Sequence, residues 1–199
     1  YRPKRRTRST IAKEKGLEPL AEIIFKQDET DPEIRAEQFL NEDVADIAEA
    51  VSGARDIIAE WISEDKTART RLRNLYDKEA VIYSRVIKGK ETDGNKFSDY
   101  FDWSEPLKKC PSHRLLAMRR GEEEGFLRLS IKLEDENALA ILKSVFIRSA
   151  NKSSEIVDEA VSDSWKRLLS SSMETEFRNI AKEKARSTGR AVSLYRDPE

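Results

Sequence analysis

Bond-breaking chemistry needs a nucleophile, a base and an orienting group held together, and this chain offers one histidine and one cysteine from which to build them. Ser112 and His113 are neighbours, but adjacent residues on a helix point about 100° apart, and Ser112 reads as a helix cap. The clusters Glu122-Glu123-Glu124 and Glu134-Asp135-Glu136 could in principle ligate a hard cation, as paired carboxylates do in nucleases. Consecutive glutamates beside Gly121 and Gly125 read instead as a solvated loop, and none closes a buried strand. A glycine-rich, lysine-ending phosphate loop is missing from the sequence. The expectation is a non-enzyme with no catalytic residue, no metal site and no cofactor.

Positive side chains are the remaining candidates for chemistry, because they neutralise phosphates and release counterions. Residues 1–15 hold seven Lys or Arg against one acid, whereas residues 16–65 hold three against fifteen, within a net charge of -1. The nucleic-acid candidates are Arg2, Lys4, Arg5, Arg6 and Arg8 in this basic arm, with Arg69 and Arg73 further on. Arg69 and Arg73 lie four apart on a helix, so pairing with Asp65 and Asp77 on the same face is the alternative reading. Four aromatics, Phe97, Tyr100, Phe101 and Trp103, crowd into seven residues. They are candidates for an interface; the competing readings are a plug between helical layers and a platform for stacked bases.

The elements that must position these residues are mostly helices. Charged residues make up 38% of the chain, and 7 Gly with 6 Pro leave few turns for an all-β fold. The predicted fold is mainly α, a multi-helix array with one long central helix and at most a small β hairpin or single strand near 125–133. Four segments follow: a basic arm over 1–16, a helical region over 17–133, C-terminal helices over 134–189 and a disordered tail over 190–199. Within the second segment, Pro19 and Asp31-Pro32 open short helices and Asn41 caps a third, which Ser52-Gly53 interrupts. Apolar residues then recur at helical steps over 54–88, as one helix or as two with a bend near Asp65. Ser104 and Ser112 read as caps of two more helices. Leu127, Leu129, Ile131 and Leu133 alternate with polar residues as a strand, and Ser170-Ser171-Ser172 reads as a break between the last helices. With a lone cysteine, no apolar run long enough for a bilayer and no signal core, the predicted location is cytoplasmic and no membrane partner is expected.

The opening Tyr1-Arg-Pro-Lys-Arg-Arg-Thr-Arg-Ser-Thr-Ile-Ala-Lys-Glu-Lys-Gly-Leu-Glu-Pro-Leu-Ala21 closely resembles a stretch of the Tex family of bacterial transcription accessory proteins. Gly53-Ala-Arg-Asp-Ile-Ile-Ala-Glu60, Lys96-Phe-Ser-Asp-Tyr-Phe-Asp102, Pro111-Ser-His-Arg114 and Arg120-Gly-Glu-Glu-Glu-Gly125 resemble the same family, in the same order. The abrupt start without methionine reads as the middle of a longer polypeptide. The resemblance implies a multi-domain protein related to the core of a eukaryotic elongation factor, with a helix-turn-helix-like region, a resolvase-like domain, a helix-hairpin-helix pair and a C-terminal S1 domain. It also implies that S1 is the main nucleic-acid binder. Neither the S1 barrel nor a parallel sheet is legible here, so the expected role is a non-catalytic scaffold with weak contact to RNA or DNA. Its expected partners are RNA polymerase or other transcription machinery, and the remaining domains of the full-length protein. A protein-protein docking module is the alternative.

Overall fold

The computed structural model describes the backbone of residues 5–194 and side chains from Arg5 to Ser187. Among these residues the α-helices are α1 (Arg8–Glu14), α2 (Glu18–Lys26), α3 (Pro32–Glu37), α4 (Ile47–Glu64), α5 (Lys66–Glu79), α6 (Ser112–Glu123), α7 (Asp135–Phe146), α8 (Lys152–Asp163) and α9 (Ser170–Leu194). Strands β1 (Val81–Val86) and β2 (Asp102–Pro106) lie between α5 and α6, and β3 (Leu127–Lys132) between α6 and α7. The fold is mainly α, as the sequence predicts. Where a hairpin or single strand was expected, the three strands form one antiparallel sheet in the order β2-β1-β3. The chain makes two compact units, one of residues up to 71 with 136–169, the other of 72–135 with residues from 170 on.

In the first unit, α1, α3, α4 and α8 begin where the sequence supplies acceptors for otherwise orphaned amide donors. Thr7 Oγ1 accepts from Thr10 N at 3.1 Å, Asp31 Oδ1 from Ile34 N at 3.4 Å, and Asn151 Oδ1 from Ser154 N at 2.9 Å. The third cap is Asp46 rather than Asn41. Asp46 Oδ1 accepts from Glu49 N at 2.8 Å while Glu49 Oε2 accepts from Ala45 N at 3.0 Å, a reciprocal arrangement close to a capping box. Asn41 instead shapes the preceding turn, accepting from Asp43 N at 2.8 Å and donating to the Lys15 carbonyl at 3.0 Å. Gly53 does not interrupt α4. A Cβ there would lie 2.3 Å from Leu17 Cδ1, so the glycine is what lets Leu17 reach the helix backbone. Ala50, Ala54, Ile57, Ile58 and Ile62 of α4 are fully buried, as are Leu20 and Ile24 of α2 and Val157 and Val161 of α8.

Over 54–88 the chain forms two helices that meet at Asp65, one of the two expected arrangements, and is corrected beyond Glu79. Asp65, where a bend was expected, ends α4 and accepts from Ala68 N at 2.8 Å to start α5. Beyond Glu79 the chain turns extended, because Val81, Ile82, Tyr83 and Val86 are residues that suit a pleated surface and their alternate burial fits a strand. Ile82 and Val86 also satisfy a four-residue step, and the buried Ser84 breaks the apolar alternation that would have marked β1. Its hydroxyl donates to the Tyr100 carbonyl at 2.7 Å.

The second unit is built on the sheet. Ser104 is not a helix cap but lies in β2, opposite Tyr83, and Ser130 of β3 faces Tyr83 from the other side. Ile82, Leu127, Leu129 and Ile131 are buried on one face with Leu115 and Met118 of α6 and Phe177 and Ala181 of α9. Tyr76 of α5 stacks on Phe177, centroids 4.7 Å apart. No helix break occurs at Ser170-Ser171-Ser172: α8 runs through a π-helical stretch, Ser164–Leu169, directly into α9. Helix α9 reaches Leu194, so residues 190–194 of the expected tail are helical, and the remainder of that tail lies outside the described residues.

Candidate nucleic-acid interface

Of the arm candidates, Arg2 and Lys4 lie outside the described residues, and Arg5, Arg6 and Arg8 are exposed. Thr7 caps α1, which takes up the rest of the arm to Glu14. Ser9 and Ala12 are buried, α1 packs on α4, and Lys15 Nζ pairs with Glu49 at 3.2 Å. Arg6 pairs with Glu14 at 2.5 Å, with two-thirds of its side chain still in solvent. Arg8 pulls on the half-buried Asp56. Burial is the largest influence there and raises the Asp56 carboxyl above its ordinary value, while Arg167, Arg8 and Arg55 act against it. Among the described residues, Arg5 makes no ion pair.

The two candidate arginines of α5 meet different partners. Arg69 Nε donates to the Ser63 carbonyl at 2.6 Å, at the junction that Asp65 caps. In the second unit, Arg73 Nε pairs with Glu176 of α9 at 2.6 Å, a longer-range partner than the Asp77 that helical spacing suggested.

Of the candidate aromatics, Tyr100, Phe101 and Trp103 are half-buried. Phe97 is buried beside Phe126, centroids 6.1 Å apart, and Tyr100 meets Trp103 edge-on at 6.4 Å. Arg114 lies 5.1 Å from the Trp103 ring centre and donates to both Glu105 oxygens at 2.9 and 2.8 Å, while Trp103 Nε1 donates to Glu105 at 2.6 Å. Charge and ring thus hold the start of α6 against β2. Sequence spacing missed this network because Glu105 and Arg114 sit on different elements. Cys110 is buried beside it, and burial, followed by the Glu105 charge, pushes its thiol up to about 11.

Glu122 overturns part of the expectation of a solvated glutamate turn. Its side chain is 18% exposed, pairs with Arg119, accepts from Arg178 Nη2 at 2.9 and 2.8 Å and accepts from Leu129 N at 3.1 Å. Glu174 Oε1 accepts from Ile131 N at 3.4 Å, and Arg178 donates to the Leu129 carbonyl. These α6 and α9 side chains cap outward polar groups of the edge strand β3. Glu123 and His113 are exposed, and among the described residues no three His, Cys, Asp or Glu side chains cluster as a metal site would need.

The opposite face of the sheet carries Tyr83 at its centre, with Arg85, Arg128, Lys132, Ser104 and Ser130 around it. Arg85, Arg128, Lys132 and Ser104 are exposed. Only the β3 part of this pattern was read from the sequence, since the pairing brings in β1 and β2 from segments read as helix.

The arrangement offers cations, hydroxyls and a ring on the second unit and a basic helix start on the first. The family described as Tex central region-like matches residues 27–192. The transcriptional accessory protein Tex of Neisseria gonorrhoeae is 38% identical over 191 residues, covering 93% of this chain and 25% of that protein. Protein tex of Bordetella pertussis is 46% identical over 136 residues, covering 67% of this chain and 17% of that protein. YhgF of Escherichia coli is 46% identical over 138 residues, covering 68% and 18%. The chain spans a quarter or less of the length of these relatives. On a family match that takes in all of α3 to α8, both units included, this chain belongs to the Tex central region-like family.

Proposed function

We propose that the chain is a non-catalytic helical scaffold of a Tex-like transcription accessory factor, working in the cytoplasm on RNA or DNA beside the transcription machinery. It positions further nucleic-acid-binding domains and adds a minor basic contact of its own. The observation that carries this reading is the start of α1. Arg5, Arg6 and Arg8 are exposed there while Ser9 and Ala12 hold the helix to α4, so the charges stand on an anchored base. Phosphate contacts make affinity fall with salt, by about 0.9 log units per phosphate on duplex DNA for each log unit of salt. Titrating the chain with single- and double-stranded RNA and DNA at two salt concentrations tests it. Arg5→Ala, Arg6→Ala and Arg8→Ala together are expected to weaken binding and flatten that slope by about one unit for each phosphate no longer neutralised; an unchanged slope sinks the arm.

The alternative role is docking RNA polymerase or another transcription factor. Ile34 of α3, 60% exposed, favours it, as does the neighbouring groove of about 660 Å³ lined by Pro32, Ile47, Val51 and Ile156 and rimmed by Glu33 and Glu159. An arm variant that binds nucleic acid like the parent shifts the case to this surface.

A further inference from the structure

The open face of the sheet has the chemistry of a strand-binding platform. Tyr83 sits on the central strand, half-buried, with its two cross-strand partners Ser104 and Ser130 beside it on the same face. Two residues along, Arg85 is paired across the strands with Arg128 and Asp102, and at the other end Val81 is paired with Lys132 and Pro106. The Arg85 guanidinium lies 5.6 Å from the Tyr83 ring centre and 3.0 Å from Asp102. Among the described residues, Arg128 and Lys132 make no ion pair. The face therefore sets three cations against one carboxylate around a single aromatic ring.

Protein pairing through the strand edges is disfavoured. Glu122, Glu174 and Arg178 already occupy outward groups of β3, and on β2 Pro106 has no N–H to give. What remains available is the face itself, where a polyanion with flat, apolar rings matches both the cations and the tyrosine. The two serines decide the sugar. A ribose 2′-hydroxyl, both donor and acceptor, has a hydroxyl to meet on either side of the ring, and a deoxyribose does not.

We propose that the Tyr83 face of the β2-β1-β3 sheet binds single-stranded RNA, with a base on Tyr83 and phosphates on Arg128 and Lys132. This rests on the nucleic-acid reading above but names a surface separate from the arm. The test is fluorescence anisotropy of a short labelled single-stranded RNA against the chain, at several salt concentrations, with the DNA of the same sequence alongside. Tyr83→Ala is expected to weaken RNA binding about tenfold, the scale of removing one base–aromatic stack, while Tyr83→Phe keeps it. Arg128→Gln with Lys132→Gln is expected to lower the log–log salt slope by about 1.4, or about 0.7 per single-strand phosphate. Parent-like binding by both Tyr83→Ala and the Arg128/Lys132 pair overturns the proposal, and equal affinity for RNA and DNA overturns the ribose assignment. The arm variant separates the two readings. If it alone loses RNA, the arm stands and the sheet falls; if only the sheet variants lose RNA, the reverse holds.

Discussion

Gln27 shows how one polar side chain can hold an interior together. It ends α2 in the left-handed region, φ 61°, and is 3% exposed. Its Nε2 donates to the Phe146 carbonyl at 2.7 Å, its Oε1 accepts from Arg148 N at 2.9 Å, and its own carbonyl accepts from Asn151 Nδ2 at 2.7 Å. Gln27→Ala strands the buried Phe146 carbonyl, at about 1–3 kcal/mol, while the Arg148 N–H belongs to an exposed residue, so thermal unfolding of the variant should show a loss of about 1–3 kcal/mol. A loss below about 1 kcal/mol means water replaces the amide without penalty. Nothing in the residues around Gln27 marks it for such a role. Its partner Phe146 is 119 residues away and invisible to local spacing.

At the scale of elements, Gly53 makes the sharper forecast. Replacing a mid-helix glycine with alanine ordinarily gains about 1 kcal/mol, but here the new Cβ meets Leu17, itself 1% exposed. Overpacking of that kind costs about 1–3 kcal/mol, so Gly53→Ala is expected to lower the melting temperature rather than raise it. Adding Leu17→Ala should recover part of the glycine penalty, and no recovery would place the clash elsewhere. The same glycine explains a misreading, since composition marks it as a breaker while its packing makes it part of the helix. The strand β3 was legible because it alternates without interruption; β1 was not, because Ser84 occupies an inward position. β2 was missed because Ser104-Glu105-Pro106 imitates a helix start. The candidate aromatics were found by clustering, whereas the Glu105–Arg114 pairing that fixes Trp103 required the fold.

For the molecule as a whole, division into two units gives a pH response that belongs to one of them. Tyr76 and Cys110 both lie in the second unit, and burial pushes their groups up to about 12 and about 11. A group raised in the folded state favours folding fully below its unfolded value and loses that contribution as pH climbs through the folded one. For Cys110 the window is about pH 9 to 11. Circular dichroism with urea at pH 8 and pH 10.5 is expected to show weakening that Cys110→Ala reduces; identical losses in both proteins remove Cys110 as the cause. The helical character of the chain was legible in its composition and apolar steps, and its family resemblance in separated segments, but α1, inside the expected basic arm, was not. The two-unit division was not, because its boundaries fall inside α5, beside the start of α7 and between the π-helical stretch and α9, where no linker composition marks them.

The guard on β3 has a consequence in time. Glu174 and Arg178 are synthesised more than forty residues after Leu129 and Ile131, so a nascent chain exposes the Ile131 N–H and the Leu129 carbonyl until α9 leaves the ribosome. Polypeptides cut short before residue 170 keep only Glu122 on that border. They should therefore be the species that adhere to one another, through the seam that the finished protein keeps shut.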